Sequence, residues 1–146
     1  MAATSEWFGQ SGGGLIARMW TSLQMGVALL GPGPGPPGLD TALRYSDISG
    51  QELAAGGGYT TGGQQITNRN TSYDAAANEY NLLGDDMNWG PGANLNVRYA
   101  VIYEMVTTDK WLWALLDFGT LVTISNGVFT IDWSAGLLSV QTGGPV

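Results

Sequence analysis

The chain has 146 residues, enough for a compact domain that buries about 70% of its unfolded-chain surface. It carries 12 acids against 5 bases, no histidine and no cysteine, with only 12% charged residues, 23 glycines, six tryptophans and six tyrosines. Without histidine or cysteine, Ser–His, Cys–His, disulfide and ordinary zinc chemistry are excluded. The bases Arg18, Arg44, Arg69, Arg98 and Lys110 are scattered, so no basic patch offers itself to nucleic acid.

In chain order, residues 1–14 read as a polar, glycine-closed N-terminal arm bearing two aromatics, Trp7 and Phe8. They suit docking on a partner or packing back on the chain's own domain. The arm lacks a basic region followed by an apolar core, so it is not read as a secretory signal. Apolar residues at 15, 16, 19, 20 and 23 predict a short amphipathic helix over 15–25, and residues 26–30 predict a buried strand. The apolar run Met25–Leu30 is too short to span a bilayer, and no membrane partner is expected. Residues 31–38, GPGPGPPG, stop both helix and sheet and predict a loop, not an SH3-type ligand.

Residues 45–53 predict a short polar strand or turn. Residues 54–63 predict a glycine-rich loop around Tyr59, without the Gly-Lys-Ser/Thr of a phosphate loop. Residues 64–73 and 79–83 predict a hairpin closed by DAAAN. Asn88–Gly92 predicts a turn around Trp89. From Val97 the chain alternates, with Val97, Tyr99, Val101 and Tyr103 on one strongly apolar face: this is the predicted core strand. A turn at 107–110 leads to WLWALLDF, apolar on both faces and predicted as a central strand. Asn126-Gly127 between apolar runs predicts a two-residue hairpin, and residues 137–140 one more strand. The expected fold class is all-β, a β-sandwich of jelly-roll-like topology with one short N-terminal helix. Its single domain spans 15–140 and is followed by a tail at 141–146.

Candidate chemistry is sparse. Asp85 and Asp86 are adjacent and read first as turn residues, because neighbours on a strand point to opposite faces. A glycosidase pairing with Glu104, Asp117 or Asp132, or calcium at Asp85, Asp86 and Asn88, is conceivable, but no spacing demands it. The expectation is therefore no catalytic residue, no metal and no cofactor. Tyr59 and Trp89 join Trp7 and Phe8 as candidate partner-contact residues, with core packing as the alternative for Trp89.

The boxes Gly58–Gly63, Asp85–Trp89, Arg98–Tyr103, Asp117–Gly119 and Asn126–Gly136, in this order over residues 39–140, resemble a family of small virion structural proteins of tailed bacteriophages. The first 38 residues depart from that pattern: helix and strand look shortened, and the proline–glycine connector is unusual. The resemblance implies a non-enzymatic protein of the virion, assembled in the host cytoplasm. Capsid decoration comes first, clamping capsomers through Trp7, Phe8 and apolar loop residues. A tail, collar or baseplate component, with Trp89 and nearby tyrosines touching a host glycan, is the alternative. Expected partners are the major capsid protein or tail and neck proteins, together with copies of the chain itself, a trimer being favoured.

Overall fold

The computed structural model describes residues 11–133 and 137–141. Its elements are α1 (Ser11–Ser22), β1 (Met25–Leu30), α2 (Tyr45–Ile48), β2 (Gln64–Gln65), β3 (Asn70–Asp74), β4 (Glu79–Leu83), β5 (Met87–Glu104), β6 (Leu112–Ile131) and β7 (Ser139–Gln141). The chain is all-β in class, with two antiparallel sheets and one short helix near its N-terminus, as expected. Where one domain over 15–140 was expected, the chain forms two compact units, each discontinuous in sequence. The first is Met1–Leu23, Thr67–Asp85 and Asp132–Val146; the second is Gln24–Ile66 and Asp86–Ile131.

The first unit holds α1 and the sheet β3-β4-β7. The helix starts at Ser11, earlier than predicted, and runs through the glycines assigned to the arm. Its buried residues include Ala17 and Trp20, three apart and hence on one face, while Leu15 and Met19 are exposed. Trp20 decides this orientation: its indole Nε1–H donates to Leu83 O at 3.0 Å and its ring meets Trp133 at 5.5 Å. The predicted hairpin is present, with Asp74 opposite Glu79 and the Tyr73 and Tyr80 rings paired across the strands at 4.9 Å. Asn78, at φ +52, takes the left-handed conformation its loop requires. The first strand of this hairpin is shorter than predicted, because Gln64–Gln65 pairs with β1 instead.

The second unit holds the sheet β2-β1-β5-β6. All six residues of β1 are buried, since it lies between β2 and β5. Val97, Tyr99, Val101 and Tyr103 are buried, and Tyr99, Val101 and Tyr103 cluster with Ala28, Leu30 and Ile48. The opposite face of β5 is buried too, at Ala100, Ile102 and Glu104, so the strand is covered on both sides rather than one.

Several local expectations are corrected here. Of the strand or turn expected over 45–53, the turn is what forms, as one helical turn at residues 45–48; the Asp47 carboxylate accepts the Leu43 and Arg44 N–H groups, each at 2.9 Å, which holds that carboxyl below the usual range. Asn88–Gly92 is no turn but part of β5: Trp89 faces Phe129 and Ala93 faces Gly127, so Gly90-Pro91-Gly92 bulges against Val128 alone. The Gly90–Pro91 bond is cis.

Nor is Asn126-Gly127 a hairpin. A type I′ turn needs φ > 0 at both residues; Asn126 sits at φ +50, whereas Gly127 stays outside the left-handed region. Gly127 stays in register opposite Ala93, and Ser125 and Asn126, opposite Asn94, form a second bulge in one long β6, held by the Asn126 N–H donating to Asn94 Oδ1 at 3.0 Å. Finally, WLWALLDF is not central. It opens β6, an edge strand, and Trp111 remains 38% exposed.

Candidate interaction surface

The glycine-rich loop folds onto one carboxylate. Leu53 N–H donates to Leu29 O at 3.0 Å and Glu52 bridges Leu30, which seats Glu52 beside β1. Its Oε1 accepts the Tyr59 hydroxyl and the Gly62 N–H, both at 2.6 Å, and its Oε2 accepts the Tyr45 hydroxyl. Tyr59 Oη in turn accepts the Leu29 N–H at 3.1 Å. Tyr103 donates to Gly62 O at 2.6 Å, and its ring stacks on Tyr45 at 4.9 Å. Glycine is required where the loop closes: Gly63 has φ +76, and a Cβ there would meet Val27 O at 1.8 Å.

Burial, reinforced by hydrogen bonds to Glu52, pushes the Tyr45 and Tyr59 hydroxyls well above their ordinary range. Burial and then the Glu52 charge push Tyr103 up to about 12. At neutral pH these phenols are donors, not bases. Their chemistry here is to lock a loop to a sheet. This cluster escaped sequence reading, since Tyr45, Glu52, Tyr59 and Tyr103 share no spacing; only the glycines around Tyr59 hinted at a tight closure.

Three further carboxylates, Asp85, Glu104 and Asp117, are held in structural roles. Asp85 Oδ2 accepts Thr67 Oγ1 at 2.9 Å and Asn68 Nδ2 at 2.6 Å. Glu104, 6% exposed, accepts Thr107 Oγ1 at 2.8 Å and Trp113 Nε1 at 3.0 Å. Asp117 pairs with Arg98 and accepts the Gly119 N–H at 2.8 Å; the guanidinium first, then that N–H, lowers its carboxyl below the usual range. Asp117 lies opposite Tyr99, five residues along β5 from Glu104. That places them roughly 17 Å apart along the strand, too far for a glycosidase pair. Among the described residues no three Asp or Glu side chains gather as a metal group.

The surface is more informative. Gln51 Nε2 donates to Gly31 O at 3.0 Å and Gly35 O at 2.8 Å, pinning the proline–glycine loop. Leu112 N–H donates to Leu43 O at 2.9 Å and Tyr45 N–H to Lys110 O at 3.0 Å, tying the segment after that loop to the start of β6. A cleft of about 70 Å³ results, lined by Pro37, Leu39 and Ala42 from the loop and by Val101, Leu112 and Leu115 from the sheet. Leu39 is 76% exposed and Leu43 51%. Beside them the Arg44 guanidinium lies 4.9 Å over the Trp111 ring and 3.5 Å from the Asp109 carboxylate. This is an apolar, preformed recess with a polar edge, suited to receiving an apolar side chain.

Of the predicted contact residues, Trp7 and Phe8 lie outside the described residues. Tyr59 and Trp89 are corrected to core positions: both are buried, Trp89 packing its ring 5.8 Å from Phe129. The recess was missed because its walls come from distant parts of the chain, Leu39 and Ala42 beside the loop and Val101, Leu112 and Leu115 on the sheet, which no local period joins. No family model matches the chain, and neither a curated protein nor a solved structure is significantly similar to it.

Proposed function

We propose that this chain is a non-enzymatic structural protein of a tailed-phage virion, and that it decorates the capsid. The observation that carries the reading is the pinned apolar recess with Leu39 and Leu43 at the surface, on a chain with only 12% charged residues. A partner's apolar side chain seated there removes surface from water at about 25 cal/mol per Å². Docking of many copies then stabilises a shell by mass action, without chemistry. The arrangements of Glu52, Asp85, Glu104 and Asp117 and of Tyr45, Tyr59 and Tyr103 support the same reading, since these groups are engaged in holding the fold. The ordered boxes over residues 39–140 supply the link to virion proteins.

Quantitative mass spectrometry of purified particles, against the major capsid protein, tests it. A ratio near one-to-one, or a simple fraction of it, is the expected result. A handful to a few dozen copies per particle would move the chain to the tail, collar or baseplate. Trp111 favours that second reading, because an indole 38% exposed and flanked by Arg44 is a platform a glycan ring can stack on. Absence from the particle overturns both.

A further inference from the structure

The sheet of the second unit ends differently on its two sides. One edge strand, β2, has two residues; the other, β6, has twenty. The outer side of β6 is covered at its start, where Arg44 bridges Trp111. No described strand pairs with it beyond that point. An edge of this length presents unpaired N–H and C=O groups, and proteins ordinarily blunt such edges with lysine, proline or charge. Here the strand has no lysine and no proline, and its one charge, Asp117, is neutralised by Arg98.

Between Gly119 (φ +81) and Asn126 (φ +50) lies Thr120–Ser125, TLVTIS. It is uncharged and β-branched, with Leu121, Thr123 and Ser125 exposed and Val122 and Ile124 half-buried.

We propose that this window pairs antiparallel with the same window of a second copy, joining two sheets across a two-fold axis. Three observations select that occupant. Among described strands, β1 and β5 are paired on both sides and the edges β2 and β7 are only two and three residues long, so length leaves β3, of five residues, and β6 itself as edges that could match the window. The chain carries a net charge of -7, yet this window is neutral, so it is where two acidic copies approach without repulsion. The irregular stretches at 118–121, opposite Arg98, and 125–126, opposite Asn94, leave Val122–Ile124 as the regular centre of the window, so the contact is short and, being isologous, closes at two copies. The inference does not depend on the virion reading proposed above, and recombinant chain without any phage protein tests it.

Sedimentation equilibrium of the full chain is expected to give twice 15.4 kDa at micromolar concentration. The double variant Leu121→Lys/Thr123→Lys should raise the dissociation constant by about tenfold or more, because like charges are then brought together across the paired strands. The chain has no cysteine, so single cysteines introduced at each position from 120 to 125 provide a clean second readout. Antiparallel partners lie about 4.5–5.5 Å apart at Cα, within disulfide reach. Cross-linking should therefore peak at one position, the axis, and fall away on both sides.

A monomer throughout, a trimer, or a dimer indifferent to the lysines overturns the proposal. So does cross-linking that is flat across the window. Should the lysine variant fail to fold, the cysteine profile alone decides. A chain absent from particles that still dimerises this way would sink the virion reading and leave this inference standing; a monomeric chain abundant on heads would do the reverse.

Discussion

The Tyr59 hydroxyl donates to Glu52 Oε1 at 2.6 Å while accepting the Leu29 N–H at 3.1 Å, so one phenol links the glycine-rich loop to both a half-buried carboxylate and β1. Removing it strands two partners at once. Tyr59→Phe is expected to cost about 1–3 kcal/mol, because a buried N–H loses its acceptor and the carboxylate a donor. Tyr73→Phe removes a hydroxyl that meets Asn78 Oδ1 at 3.2 Å on a partly exposed hairpin, and should cost under about 1 kcal/mol. Urea unfolding of the two variants gives the comparison; equal losses would show that the Glu52 cluster does not hold the loop.

The same cluster sets an alkaline limit. Tyr103 is raised from 10.0 to about 12 and Tyr45 and Tyr59 are raised as well, so the fold favours the protonated phenols. Their contribution is complete below pH 10, the unfolded value, and is lost as pH climbs toward the folded values. Stability should therefore fall between pH 10 and about 12. The share of tyrosinate absorbance that comes from Tyr45, Tyr59 and Tyr103 should rise together with loss of β-sheet circular dichroism, not before it. Early, independent ionisation of all six tyrosines would contradict this.

Two glycines with similar φ should respond differently to alanine. At Gly63 (φ +76) a Cβ would meet Val27 O at 1.8 Å; at Gly119 (φ +81) nothing lies within 4 Å. Gly119→Ala carries left-handed strain alone, on the order of 1–3 kcal/mol. Gly63→Ala adds a backbone collision, for a total of about 2–6 kcal/mol. Thermal unfolding of the pair separates strain from collision.

Leu39→Asp probes the recess. With Leu39 76% exposed, the change should leave stability within about 0.5 kcal/mol. Incorporation into particles should drop, since a carboxylate would sit where an apolar partner group docks. Undiminished incorporation of a folded Leu39→Asp chain would remove the recess from the docking surface.

Much of the fold was legible in local pattern. Six consecutive buried residues of β1, the alternation from Val97 and the hairpin around DAAAN depend on neighbours within a few positions, which a period can reveal. Asn126-Gly127 shows where this stops. Its dipeptide favours a turn, but β5 is 18 residues long and offers one continuous partner, so ladder pairing on both sides of Asn126 outweighs the local preference. For Trp89, surrounded by glycine and proline, local pattern left surface anchor and core packing both open, and pairing with Phe129 takes it into the core.

By itself the sequence determined the all-β class, the absence of histidine and thiol chemistry, and the glycines on which tight loops depend. Those follow from composition and from conformational limits that each residue carries with it. Tertiary structure alone decided that β6 is an edge rather than a centre, that Tyr45, Glu52, Tyr59 and Tyr103 meet, and that Leu39 frames a recess. Each of these depends on which distant strand or loop arrives alongside, and burial and hydrogen-bond pairing across the whole chain, not local preference, determine that arrival.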